Sequence, residues 1–321
     1  MPNIDLAEGK GGITLPNLRS VTLQLVPFRS TTPLFYSDLT TVVLYSLSNA
    51  PASLDRLLHV LQVNRATLLH VSLYFREVPR GIIPLTPTTL PSLKELSLGG
   101  HQHLSELIDI LNLPALEELN LDIFSPSLQQ TICTLLERSG NPAVKHLNIN
   151  YGFGYGYTAT KTDRFVPELY SGNSRVHSPG WRYILESMPT LETLRVGDES
   201  ADYLLETLSP PKSNIQLIAH FPPQLTPLPA TPTGWICPNL VEVGIRGFNL
   251  QEPSASELVR MIELRNPAGG GNGALLNGVT PDRLEVIELF ECANVRREVR
   301  EWFQTKVNRV VITESQRWVS F

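Results

Sequence analysis

Three stretches of the chain carry residue types able to support chemistry. His101-Gln102-His103 sets two imidazoles at alternate positions, which on a strand would share a face and offer two nitrogen ligands to a metal. No Asp, Glu or Cys sits at a fixed short spacing from them, and HLSELIDIL opens a helical pattern at His103, so a turn or helix entry is expected instead. GGGNG (269–273) is glycine-rich enough to cradle phosphate, but it lacks the Lys-[Ser/Thr] that completes such a loop and follows a helical pattern rather than a strand. A flexible surface loop is expected there. The three cysteines, Cys133, Cys237 and Cys292, are too few and too widely spaced for a disulfide framework or a zinc site. Cys133, in a helical pattern, and Cys292, after a strand pattern, are expected to be small buried hydrophobes. Neither G-x-S-x-G nor H-E-x-x-H occurs, so no catalytic residue, cofactor or metal is expected.

One further motif stands out. In YGFGYGY, Tyr151, Phe153, Tyr155 and Tyr157 alternate with glycines. Stacking on nucleic acid would require basic residues around the rings, yet only Lys161, Arg164 and Arg175 are near. The net charge of −5 and pI of about 5.8 also argue against phosphate neutralisation, so no nucleic-acid partner is expected. Two readings stay open. The rings pack an inserted loop onto the edge of the fold, or they are exposed anchors for a protein partner, since tyrosine at a loop tip offers large contact area at low entropy cost.

Across 321 residues, 42 % hydrophobic and 18 % charged content is ordinary globular usage. The N-terminus lacks a basic-then-apolar leader, no apolar run approaches a membrane span, and no N-x-[ST] sequon occurs. A cytoplasmic or nuclear protein without membrane contact is expected.

The elements that must position any site come from a repeat. LPNLRSVTL, LPSLKELSL, LPALEELNL, MPTLETLRV and CPNLVEVGI share one pattern, apolar-Pro-x-Leu-x-x-apolar-x-apolar. Weaker copies are LTTVVL, LLHVSL, VKHLNI, LEVIEL and VNRVVI. Their first core positions are 18, 39, 68, 93, 116, 144, 191, 240, 284 and 307, and most steps are 21–29 residues. The long steps of 47 and 44 contain the Tyr/Gly segment and the glycine run, and the step from 191 to 240 leaves room for a degenerate coil at NIQLIAH. Side chains alternate along a strand, so the last two apolar positions of each copy face a core, and a single strand cannot bury them alone. Leu96, Leu98, Leu119 and Leu121 are therefore expected to be buried. Helical patterns with caps and stops lie between the strands. Ser53 precedes LDRLLHVL, Ser125-Pro126 precedes SLQQTICTLLERS with Gly140 beyond, and Ser178-Pro179 precedes GWRYILESM. Ser254 and Glu257 have capping-box spacing before LVRMIELR, and VRREVREWF follows the strand of LEVIEL. Strand–turn–helix units give an α/β solenoid, a curved horseshoe with parallel strands on its concave face and helices outside, in about 10–12 irregular coils. One domain over 1–321 is expected, with inserted loops near 151–178 and 266–280.

The outward strand positions then define a face. They are His70, Ser72 and Tyr74; Glu95 and Ser97; Glu118, Asn120 and Asp122; His146, Asn148 and Asn150; Thr193 and Arg195; Glu242 and Arg246. An acidic centre gives way to arginines toward the C-terminal end. Candidate protein-binding residues are Tyr74, His146, Asn148, Asn150, Arg195 and Arg246, with Tyr151, Phe153, Tyr155 and Tyr157.

These repeats resemble those of leucine-rich-repeat proteins of the ribonuclease-inhibitor-like type, and in particular the irregular repeats of fungal F-box/LRR proteins. The likeness spans about residues 13–313; CPNLVEVGI matches the cysteine-proline opening of F-box-associated repeats, and Cys292 in LEVIELFEC falls at that subtype's buried cysteine. His101 and Phe124 stand at that position elsewhere. The resemblance implies a non-catalytic protein-binding module, the substrate-recognition region of an F-box-type ubiquitin ligase receptor. The alternative is an LRR scaffold or GTPase-regulating protein unrelated to ubiquitin. The family's N-terminal F-box has no counterpart ahead of the first strand, which begins almost at residue 15. With so short a lead, an exposed apolar edge is expected near Val21 and Leu23.

Overall fold

The computed structural model describes residues 17–24, 38–46, 54–76, 87–123, 128–150, 179–197, 235–247, 254–268, 279–292 and 297–313, with a few isolated positions between them. The fold is α/β. Ten of its strands form a parallel sheet in the order β1-β2-β3-β5-β7-β8-β9-β10-β11-β12. Those strands are β1 (Ser20–Gln24), β2 (Thr41–Ser46), β3 (His70–Phe75), β5 (Glu95–Gly100), β7 (Glu118–Ile123), β8 (His146–Ile149), β9 (Thr193–Gly197), β10 (Glu242–Arg246), β11 (Val286–Phe290) and β12 (Arg309–Thr313). A second parallel pair, β4 (Thr88–Thr89) with β6 (Leu111–Asn112), was not signalled by the sequence pattern. The helices are α1 (Leu54–Val63), α2 (Ser105–Ile108), α3 (Leu128–Arg138), α4 (Pro179–Glu186), α5 (Ser254–Arg265) and α6 (Arg297–Lys306). The described residues fall into two compact units. Unit 1 runs to Glu118 and resumes over Asp122–Pro142; unit 2 holds Leu119–Leu121 and everything from Ala143 onward.

The recurring Pro has a local cause. In LPSL, LPAL, MPTL and CPNL the fourth residue's N–H donates to the first residue's carbonyl, closing turns at 3.3, 3.2, 3.1 and 3.2 Å. Proline at the second turn position arrives with its φ already set for this turn. The turn drops the following leucine into the core: Leu93, Leu116, Leu191 and Leu240 are all fully buried. Beyond it the strand alternates, and Leu96, Leu98, Leu119 and Leu121 are buried as expected.

The helices are tied to these turns by polar groups whose partners are far away in sequence. The residue just after α1, α3 and α5 is Asn64, Ser139 and Asn266. Each is buried, and each accepts the N–H of a leucine at a turn or strand approach, Leu39, Leu113 or Leu284, at 2.9 Å. The last residue of α3 and of α5 is an arginine. Arg138 donates to the carbonyls of Leu111 (2.7 Å) and Ile108 (2.6 Å), and Arg265 to those of Ile236 (3.0 Å), Cys237 (2.9 Å) and Leu240 (3.3 Å). Buried carbonyls at these turns need donors, and arginine carries five on one planar fork. Burial holds both guanidiniums below the ordinary arginine value, Arg265 down to about 10.

Four expectations require correction. No extra coil enters the sheet between residues 197 and 242, because β9 pairs directly with β10, Leu194 opposite Val243 and Val196 opposite Ile245; NIQLIAH itself lies outside the described residues. The long step between residues 191 and 240 therefore adds no strand to the sheet. Val21 is buried, since it faces the core in register with Val42, and Leu23 is half-buried, so no bare apolar edge exists there. Gly273 is not part of a free surface loop: it is buried, and a Cβ there would lie 2.7 Å from Pro281 Cγ and 3.1 Å from the Arg265 carbonyl. Cys292 is half-buried rather than enclosed.

That last difference predicts thiol reactivity. Burial pushes the Cys133 thiol up from its usual value and the Cys237 thiol up to about 12, and Cys237 also donates to the Leu185 carbonyl at 3.4 Å. Native protein should take up one equivalent of a maleimide quickly, mapped to Cys292, while Cys133 and Cys237 react only on unfolding. Rapid labelling of Cys237 would contradict the packing described. Between the ordinary value of 9.0 and about 12 the folded thiol keeps a proton the unfolded chain has lost, so Cys237 lowers stability as pH rises through that window.

Candidate functional site

Unit 2 carries a cavity of about 450 Å³ on the half-exposed face of its sheet. The strand register builds it in rows. Asn148, Arg195, Gly244 and Glu288 stand side by side on β8, β9, β10 and β11, and Gly197, Arg246, Phe290 and Thr313 form the next row. Asn150, one residue past β8, adds a second amide on the same strand face.

Gly244 explains how the floor is assembled. A Cβ there would come 2.8 Å from Arg195 Cγ, so only glycine lets the arginine lie flat across β10. Arg195 thereby reaches two strands over: Nε donates to Glu288 at 2.9 Å, and another guanidinium nitrogen donates to Glu242. Glu288 is nearly buried, and Arg309 stands 3.7 Å from its other oxygen. A carboxylate taken that far out of water needs such partners. Arg246 pairs with Glu291 at 3.1 Å. Glu291 adopts φ 54°, a left-handed conformation uncommon for a residue with a side chain, where the strand of β11 ends. Arg195, Arg246 and Arg309 thus face Glu242, Glu288 and Glu291. The arginine end of the face is a neutral ion-pair lattice, not a basic patch.

Asn148 and Asn150 differ from this floor. Both are half-buried, and among the described residues neither side-chain amide has a hydrogen-bond partner. Alternate residues on a strand stand about 6.6 Å apart, so the wall carries two donor–acceptor groups at a fixed spacing.

Of the residues expected to bind, the structure brings together Asn148, Asn150, Arg195 and Arg246. His146 lies in the neighbouring row, in register with Thr193, and does not line the cavity. Tyr151, Phe153, Tyr155 and Tyr157 lie outside the described residues. Glu288, Phe290 and Thr313 were missed, although the same alternation along VIELF and RVVIT points to them. Glu291 had no signal, because its placement depends on an unusual backbone angle.

Tyr74 belongs to unit 1. Its ring stacks on Tyr45 at 4.9 Å with 21° between planes, and it leans over Gly99, where a Cβ would meet Tyr74 Cδ2 at 2.5 Å. Burial, then the charge of Asp122, then Tyr45 push the Tyr74 hydroxyl above its usual value, so it stays a proton donor. On the same face His70 meets Glu95 at 3.0 Å. His101 and His103 form the expected helix entry, a 3₁₀ turn over Gln102–Leu104 leading into α2. His103 nonetheless has an acidic neighbour, since Glu106 lies three residues on and 2.7 Å away. Among the described residues no group of three or more His, Cys, Asp or Glu is placed to hold a metal, and no helix is long and apolar enough to cross a membrane. No protein-family model, no curated protein and no solved structure matches the chain.

Proposed function

We propose that the chain is a leucine-rich-repeat solenoid that binds other proteins without catalysing a reaction, and that the unit 2 cavity takes an extended peptide segment of a partner. The observation that carries this reading is the pair Asn148 and Asn150, two half-buried amides with no side-chain hydrogen-bond partner among the described residues, beside a charge-neutral floor of ion pairs. An extended peptide presents backbone N–H and C=O groups of alternate residues on one edge at about the same 6.6 Å spacing. Asparagine, donor and acceptor at once, can pair with either. The ion pairs fix the floor before the partner arrives, which lowers the ordering cost of binding. The narrower role, substrate recognition for an F-box-type ubiquitin ligase, is supported by the resemblance of the repeats alone.

Panning a displayed library of twelve-residue peptides against the full chain tests this reading. Selected peptides should bind saturably and lose about tenfold in affinity or more against the Asn148→Ala, Asn150→Ala double variant. Its melting temperature should stay near that of the unaltered protein, because neither side-chain amide has a hydrogen-bond partner among the described residues. Arg195→Ala should weaken the same peptides and also lower stability by about 2 kcal/mol, since it strips Glu288 of its closest partner. Adding Glu288→Gln should restore much of that stability. Failure to enrich any peptide, or equal binding to the asparagine double variant, would exclude this site. The ligase role further predicts that a reporter carrying a selected peptide turns over faster, through the proteasome, in cells producing the full-length gene product.

A further inference from the structure

Unit 1 has a half-exposed sheet face of its own, with different chemistry. Tyr45, Tyr74 and Gly99 stand side by side on β2, β3 and β5. The bare position at Gly99 lets Tyr74 tilt toward Asp122, whose Cβ lies 3.4 Å from where a Gly99 Cβ would stand. The outer ring, Tyr45, stays 36 % exposed. The result is a two-ring platform bordered by a carboxylate. The face positions of β3 and β5, with Glu118 and Asp122 of β7, supply three acids, Glu95, Glu118 and Asp122, and neither lysine nor arginine. The one basic side chain there, His70, is joined to Glu95.

Charge and ring chemistry select the occupant. An anionic ligand, nucleic acid included, would meet the acids at close range. A purely apolar surface would take the charge of these carboxylates further out of water, which is costly. A cation gains from both features: the negative faces of the stacked rings attract it, and the neighbouring carboxylate adds Coulomb energy in a partly dry setting. Arginine suits this best, being planar, always charged and weakly hydrated.

We propose that this face docks a basic peptide segment of a partner protein, laying one arginine on the Tyr45–Tyr74 platform with its charge toward Asp122. The proposal rests on the chain being a protein-binding module, but on none of the residues of the unit 2 cavity.

The test uses the full chain and three fluorescent peptides of four repeats each, Arg-Gly-Ser, Lys-Gly-Ser and Glu-Gly-Ser, followed by anisotropy at low and moderate salt. The arginine peptide should bind at one saturable site and the glutamate peptide should not bind. Tyr45→Ala and Asp122→Asn should each weaken the arginine peptide by about tenfold. Tyr45→Phe, which keeps the ring, should hold affinity within about twofold. Glu298→Gln, the same charge change on the exposed part of α6, should have no effect. Melting curves on each variant exclude unfolding as the cause. Equal losses from Asp122→Asn and Glu298→Gln would mean diffuse attraction by an acidic protein and would overturn the proposal. So would retention of full affinity in Tyr45→Ala, or no binding at all. If the arginine peptide fails while peptides selected at the asparagine wall still bind, only the present proposal falls; if both fail, the protein-binding reading falls with it.

Discussion

Arg265→Met should lower the unfolding free energy by about 3–5 kcal/mol, among the largest losses expected from any single replacement in this chain. Two effects compete. Methionine removes a guanidinium that is completely buried, and the cost of holding that charge out of water disappears with it. It also removes the donors for the carbonyls of Ile236, Cys237 and Leu240 and the cation lying 5.0 Å from the centre of the Trp235 ring. Hydrogen bonds from a charged donor contribute about 1.5–3 kcal/mol each, and carbonyls stranded in the core cost about 1–3 kcal/mol each. Three such losses outweigh the relief of one charge. Nε of Arg265 already lacks a partner, so the site is not fully satisfied even in the unaltered protein. Arg265→Lys keeps the charge but not the fork, and should fall between the two. Chemical denaturation with unchanged slope measures the loss. A methionine variant as stable as the original would show that these turns find other donors.

How far the sequence reached depended on whether a residue's partners are near it along the chain. The L-P-x-L turns were legible because the proline, the turn bond and the buried leucine lie within four residues, and strand alternation carried the prediction on to Leu96, Leu98, Leu119 and Leu121. Face membership was legible for the same reason, which is how Asn148, Asn150, Arg195 and Arg246 were found. What those residues do across strands was not. Arg195 and Glu288 are 93 residues apart, and their pairing depends on an intervening glycine, so the arginines at this end of the face were legible but the glutamate that neutralises them was not. Repeat spacing failed at residues 197–242 because connection length carries no information about strand adjacency. The polar clamps Asn64, Ser139 and Asn266 look in sequence like ordinary helix ends; only the packed structure shows that each faces another segment's backbone.

Those three clamps yield the last prediction, a graded series. Asn266→Ala and Asn64→Ala should each cost about 2–3 kcal/mol and Ser139→Ala about 1. The grading follows from what each side chain holds. Asn266 donates to the carbonyls of Leu284 (2.7 Å) and Lys306 (2.8 Å) and accepts the Leu284 N–H (2.9 Å), tying three backbone groups from two later segments. Asn64 accepts the Leu39 N–H at 2.9 Å and donates to the Val60 carbonyl, also at 2.9 Å, within its own helix. Ser139 accepts one N–H, that of Leu113. These contacts are buried or part-buried, so the penalty grows with the number of backbone groups left unpaired rather than with the volume deleted. Asn266→Asp separates the ideas further. It preserves size and the acceptor for Leu284, but turns the donor toward two carbonyls into a second acceptor, and should be at least as damaging as alanine. An aspartate variant close to the unaltered protein would show that these residues fill space rather than hold the segments together.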